Sequence, residues 1–137
     1  MLQFADMKRI RVSEWMIEQV LTIDTHESVD SAIRKMLGRS VSSLIVINKD
    51  TKKPEGILSK MDLVKIIHSR VDTTYTPVRE VMNDQLVVVS KDASIEEAID
   101  KMTSNNLKWL PVIDPQEDDR LVGILTTTTF LLNYLGV

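Results

Sequence analysis

Residues Gly56–Val64 read GILSKMDLV, and Gly123–Leu131 read GILTTTTFL. Both open on Gly-Ile-Leu, pass through a hydroxyl residue and continue into apolar residues at helical spacing. Sliding the chain on itself by 66 residues extends the match upstream. Val12 pairs with Val78, Glu14 with Glu80, Met16 with Met82, Gln19 with Gln85 and Ser28 with Ser94. Ala32, Ile33, Lys35, Met36, Leu44, Val46 and Ile47 then match their counterparts from Ala98 to Ile113. Twelve identities over 12–53 compare with about two or three for unrelated sequence of ordinary composition. One extra residue in the loop DPQEDDR moves the offset to 67 for Gly-Ile-Leu. The chain therefore carries one long unit twice, unlike the short stacked units of a solenoid.

Each unit has a readable order. Val20–Ile23 and Leu86–Val89 are short β-rich runs, Leu44–Ile47 and Leu110–Ile113 are second runs, and Gly56–Ser59 and Val122–Thr126 are third ones. Between the first and second runs, Val29, Ala32, Ile33, Met36 and Leu37, and again Ile95, Ala98, Ile99 and Met102, fall on one helix face. Ser94 with Glu97 predicts a capping box, and Gly38 marks the expected end of the first helix. Leu63–Ile67 and Phe130–Leu135 predict a second helix in each unit. The expected fold is α+β, two tandem β-α-β-β-α repeats, each a small mixed sheet with two helices, packed as a pseudo-two-fold pair. The first two strands of a unit can lie parallel through the helical crossover, whereas the second and third, joined by a polar loop, should lie antiparallel. In the stretch joining the copies, Thr76 before Pro77 is expected to be extended.

Composition narrows the chemistry. There is no cysteine, which removes disulfides, thiolate metal sites and thiol nucleophiles. A net charge of -3 argues against a general nucleic-acid binder. The basic clusters Lys8, Arg9, Arg11 and Lys52, Lys53 read as solvated surface. No apolar run approaches the length of a membrane span and the N-terminus does not read as a signal peptide, so a cytoplasmic location is expected. His26 and His68 fit no metal-ligand spacing, no nucleophile elbow is visible, and the methionines on the helix faces read as adaptable core filler. Thr126–Thr129 suits a strand end.

The order of an apolar run, then ESVDSAIRKM or ASIEEAIDKM, then LIVI or LPVI, then Gly-Ile-Leu-Ser/Thr resembles the CBS domain pair, or Bateman module, in both copies. The likeness covers Val12 to Leu132. It implies an N-terminal segment (1–11), a CBS repeat at 12–70, a linker at 71–77 and a second repeat at 78–137. It also implies a regulatory module, an energy or metabolite sensor and not an enzyme, that binds an adenosine-containing ligand in the cleft between its repeats. AMP, ADP, ATP or S-adenosylmethionine is the implied ligand, with no required cofactor and no metal. A homodimer and a regulated partner protein are the implied associations, with no membrane and no nucleic acid. The two repeats take up the chain and leave no room for a catalytic domain, so a stand-alone module is expected. The competing expectation is a structural or dimerisation module whose cleft has decayed.

In ligand-binding members of the family the third strand ends in Ser or Thr, with an Asp three residues later holding the ribose. Ser59 and Asp62 match that pattern. One ionised carboxylate can accept from both ribose hydroxyls, and free N–H groups at a helix start favour a phosphate. The same two residues also read as a plain helix cap, and the roles are compatible. By resemblance the site is completed by Met82, Val87, Lys108, Trp109 and Pro111, with the backbone of Val87 and Trp109 on the adenine edge. Trp109 reads either as a stacking platform or as core or dimer contact, and Lys108 as a phosphate partner or a solvated cation. The symmetry-related second site, Met16, Leu21, Ser42, Ser43, Thr126 and Thr129, lacks the carboxylate and is expected to be empty, weaker or adapted to something else. Phe4, Ile10 and Trp15 are candidates for packing on the partner repeat or a neighbouring chain.

Overall fold

The computed structural model describes residues 2–136. The chain divides into two compact units, one formed by Leu21–Leu86 and the other by the residues up to Val20 together with those from Val87 onward. The lead-in to the first sequence copy thus packs with the second copy's sheet. Among the described residues the fold is α+β, with two mixed three-stranded sheets and five α-helices.

In the Leu21–Leu86 unit, β1 (Thr22–Asp24) runs parallel to the central β2 (Ser43–Ile47), and β3 (Pro54–Ser59) runs antiparallel to it. The crossover is α2 (Val29–Gly38), and α3 (Lys60–His68) follows β3. β2 is buried on both faces at Leu44, Ile45 and Val46, so it reads as a continuous apolar run. Ile23, Val29, Ala32, Met36, Leu44, Val46, Leu58, Leu63 and Ile66 form the core, closed by Val78 from beyond the linker. At the end of the linker, Pro77 is extended (φ -73, ψ 149). There Val29 N–H donates to the Thr76 carbonyl (3.0 Å) and Val78 N–H to the Glu27 carbonyl (2.8 Å).

The other unit repeats the order with α1 (Val12–Trp15) in front. β4 (Val89–Ser90) lies parallel to β5 (Trp109–Asp114), β6 (Arg120–Thr126) lies antiparallel to it, and the helices are α4 (Ile95–Ser104) and α5 (Thr127–Leu135). Val12, Val89, Ile95, Ala98, Met102, Leu110, Val112 and Leu125 form its core. Ile10 and Trp15 pack against that core, and Trp15 meets Phe130 with ring centroids 5.5 Å apart, whereas Phe4 is exposed.

As expected, α2 ends at Gly38, and the left-handed residue that then turns the chain is Ser40 (φ 54), matched by Asn106 (φ 51) after α4. Two local expectations are corrected. The first strands begin later than Val20 and Leu86, at Thr22 and Val89, because the ladder starts only where the neighbouring strand offers partners. Of Thr126–Thr129 only Thr126 belongs to β6; its hydroxyl accepts the Thr129 N–H at 3.1 Å, which starts α5.

Candidate functional site

β3 delivers Ser59, in extended conformation (φ -104, ψ 166), to the start of α3. Its hydroxyl accepts the Asp62 N–H at 3.1 Å, and Asp62 Oδ2 accepts the Ser59 N–H at 2.8 Å. This reciprocal pair is a complete capping box, encoded by a hydroxyl and an acid three residues apart. Both residues are half-buried. The box locks the carboxylate in place with Oδ2 committed to the backbone, and no described residue bonds Oδ1. A ribose approaching here would meet a preset acceptor, not one free to take both hydroxyls with two empty oxygens.

Ser43 is the register partner of Ser59, the Ser42 carbonyl accepts the Lys60 N–H at 3.1 Å, and the Leu21 carbonyl accepts the Ile45 N–H at 3.4 Å. Leu21, Ser42 and Ser43, expected in the second site, therefore gather at the same sheet end as Ser59. Met82 belongs to this unit too. Ile57 and Asn83 exchange backbone bonds of 3.0 and 3.1 Å, which lays Met82 over Gly56. A Cβ at Gly56 would collide with the Met82 Sδ and lie 2.8 Å from its Cγ.

The other unit mirrors this arrangement. Thr126 faces Trp109 across the ladder, its Oγ1 donates to Thr129 Oγ1 at 3.0 Å, and the Lys108 carbonyl accepts the Thr127 N–H at 3.1 Å. Pro111 is buried opposite Ile124, Val87 packs on the core, Trp109 is half-buried and Lys108 exposed. Met16 lies over Gly123, where Ile17 and Ile124 exchange backbone bonds of 2.8 and 2.9 Å. No carboxylate stands at the Thr129 position. The structure thus sorts the candidates by unit, with Ser59, Asp62, Met82, Leu21, Ser42 and Ser43 in one and Val87, Lys108, Trp109, Pro111, Met16, Thr126 and Thr129 in the other. The packing role of Gly56 and Gly123 was not read from the sequence, although their alignment, together with that of Met16 and Met82, carried the signal.

Away from these clusters, Asp24 Oδ2 accepts the His26 N–H at 3.1 Å and Oδ1 the Lys49 N–H at 2.9 Å. Burial works against the charge of Asp24, but these two donors, helped by the positive charges of His26 and Lys49, outweigh it and hold the carboxyl below the usual range. Among the described residues no group of three or more His, Cys, Asp or Glu is placed to hold a metal, and no helix is long and apolar enough to cross a membrane. An apolar cavity of about 320 Å³ lies among Ile99, Met102, Leu107, Phe130 and Leu131, and none of the candidate site residues lines it.

Comparison with known proteins places this geometry. A curated relative, homoserine O-acetyltransferase of Methanohalobium evestigatum, is 34% identical over 116 residues, covering 85% of this chain but only 22% of that protein. The crystal structure of CBSX2 in complex with AMP is similar at a TM-score of 0.79 and 25% identity, covering 92% of this chain and 96% of that one. The cytosolic domain of the Mg2+ channel MgtE in complex with ATP is similar at a TM-score of 0.75 and 26% identity, over 93% of this chain and 50% of that one. The CBS domain profile matches residues 12–69 and again 78–136, and the chain belongs to the CBS domain family.

Proposed function

We propose that the protein is a cytoplasmic regulatory module that binds an adenosine nucleotide of the AMP, ADP or ATP class and reports energy or metabolite state. The observation that carries this reading is the capping box at Ser59 and Asp62, which presents a fixed carboxylate with one oxygen unengaged at the N-terminus of α3. The proposal assigns Ser59 and Asp62 to the sugar of the ligand, with Met82, Val87, Lys108, Trp109 and Pro111 completing the site and the backbone of Val87 and Trp109 on the adenine edge. Solved relatives that hold AMP and ATP support the ligand class. Met16, Leu21, Ser42, Ser43, Thr126 and Thr129 form a weaker or unused set, so one ligand per chain is expected. Binding regulates only if it favours one of two states, so the output goes to a partner protein or to another part of a larger assembly. The exposed Leu131, Leu132 and Leu135 on α5, a helix without charged residues, support self-association into a homodimer.

A thermal-shift panel with AMP, ADP, ATP, S-adenosylmethionine and a guanine nucleotide tests the reading. A ligand at about 100 times its Kd adds about 2.7 kcal/mol, a shift of several degrees for a domain of this size. Asp62→Ala should abolish the shift while costing only the cap, about 0.5–2 kcal/mol. One observation favours a second reading, a structural or dimerisation module. The cap by itself accounts for both Ser59 and Asp62, and absence of a shift with every adenosine compound would select it.

A further inference from the structure

The second helices of the two sequence copies are anchored differently. α3 buries Leu63 (5% exposed) and Ile66 (8%), which share one core with Ala32 and Met36 of α2. The aligned residues of α5 are Phe130 and Asn133, and α5 has no buried residue. The Phe130 ring packs instead against Trp15 (centroids 5.5 Å apart) and Tyr134 (6.4 Å). Asn133 turns its side-chain amide back to donate to the Thr129 carbonyl at 2.9 Å. On α4, Thr103 stands where the first copy has Leu37, and its hydroxyl donates to the carbonyls of Ile99 (2.9 Å) and Asp100 (3.3 Å) of its own helix.

The space those side chains leave is the cavity of about 320 Å³ between α4 and α5. Its walls are Ile99 and Met102 from α4, Leu107 from the turn, and Phe130 and Leu131 from α5. Thr103, Asn106 and Thr127 are the polar residues that reach it, and none of the lining residues is charged. An apolar cavity of about 150 Å³ stays dry and holds benzene, and small-molecule sites begin at about 300 Å³. A phosphate, carboxylate or ammonium entering here would lose its hydration and meet no opposite charge, so the lining selects against charge as firmly as the volume selects for size.

We propose that this cavity is a further ligand site, one that takes a neutral apolar molecule the size of about two fused rings. The Thr103 hydroxyl is committed to its own helix, so apolar contact and not hydrogen bonding selects the ligand there. A molecule held between Met102 and Phe130 ties α5 to α4, a task that Leu63 and Ile66 perform for α3 without help. The inference stands apart from the adenosine-binding reading, because none of the residues assigned to that ligand lines the cavity.

The test is titration of the full chain with indole, and with indole carboxylate as the charged control, followed by calorimetry and amide NMR. Indole should bind and shift the amides of Ile99, Met102, Leu107 and Phe130, and the carboxylate should bind at least about tenfold more weakly. Thr103→Leu and Asn133→Ile each put back the residue of the first copy; by filling or closing the cavity, each should weaken indole binding about tenfold. Wild-type indole affinity in whichever of these variants folds overturns the inference, as does equal affinity for the two probes or the absence of heat and shifts with indole at its solubility limit. Shifts at the same amides that follow protein concentration and not indole would show a second copy filling the cavity, and overturn it as well. Indole binding without any response to adenosine compounds supports this site and strikes only the adenosine reading.

Discussion

Gly56 is needed because the Met82 side chain occupies the space a Cβ would take, with the Asn83 carbonyl 3.0 Å away. Gly56→Ala should therefore cost about 1–3 kcal/mol by overpacking. Most of that cost should vanish in a Met82→Ala background, giving a coupling of about 1 kcal/mol or more in a urea-unfolding double-mutant cycle. At Gly123 the same position lies 2.7 Å from the Met16 Sδ and 2.9 Å from the Ile17 carbonyl, an arrangement like that at Gly56, so Met16→Ala should rescue Gly123→Ala in the same way. No coupling at either glycine would contradict the claim that the methionine fills the space. Asp24 gives a pH prediction at the same scale. Its carboxyl is depressed in the folded state, so it binds fewer protons there than in the unfolded chain. Its stabilisation is full above the unfolded value near about 4 and is lost as the pH falls through the folded value below it. Urea midpoints measured from pH 5 down to pH 3 should fall more steeply for wild type than for Asp24→Asn.

Each long helix starts on a hydroxyl residue, Ser28, Ser59, Ser94 or Thr126, that accepts the N–H three residues on. The starts at Ser59 and Ser94 were legible because the cap and the apolar period lie close together in sequence, whereas Thr126 was hidden in a β-branched run that reads as a strand end. Ser94 and Glu97 make the serine half of the expected box, whereas Ser59 and Asp62 make both halves. Giving α5 the missing carboxylate with Thr129→Asp should therefore stabilise the protein by about 0.5–1 kcal/mol, read as a raised urea midpoint at unchanged slope. A neutral or destabilising result would mean that Thr126 cannot accept the reciprocal arrangement that Ser59 does. Strand limits were less legible than helix starts, since pairing depends on what a distant strand can donate. Pro111 was read as a site residue, but it has no N–H to give a parallel ladder, and its effect on the length of β4 becomes visible only once the register sets it at the rung that Ile45 fills in the first sheet. Lys101, which compensates by donating to the Val88 carbonyl at 2.8 Å, looked like any exposed helix lysine matched with Lys35.

The repeat was legible in full, yet the compact units are cut elsewhere, and the reason is a pair of backbone bridges that no periodicity records. Ile17 pairs with Ile124 and Asn83 with Ile57, so each lead-in segment is tied to the sheet of the other sequence copy. Val12, aligned with the first copy, is 0% exposed in the core around Leu110 and Leu125, and Val78, its counterpart in the second copy, is 0% exposed in the core around Leu44 and Leu58. A crossed outcome follows for two matched truncations. Val12→Ala should cost about 2 kcal/mol and release amide protection chiefly in 87–136, at Val112 and Leu125, while Leu44 and Leu58 of the first sheet keep theirs. Val78→Ala should do the reverse, loosening Leu44 and Leu58 and sparing Leu110 and Leu125. Native-state hydrogen exchange on the two variants reads this directly. If each substitution instead loosened the copy with which it aligns in sequence, the exchanged lead-in segments would not be the units that hold these sheets together.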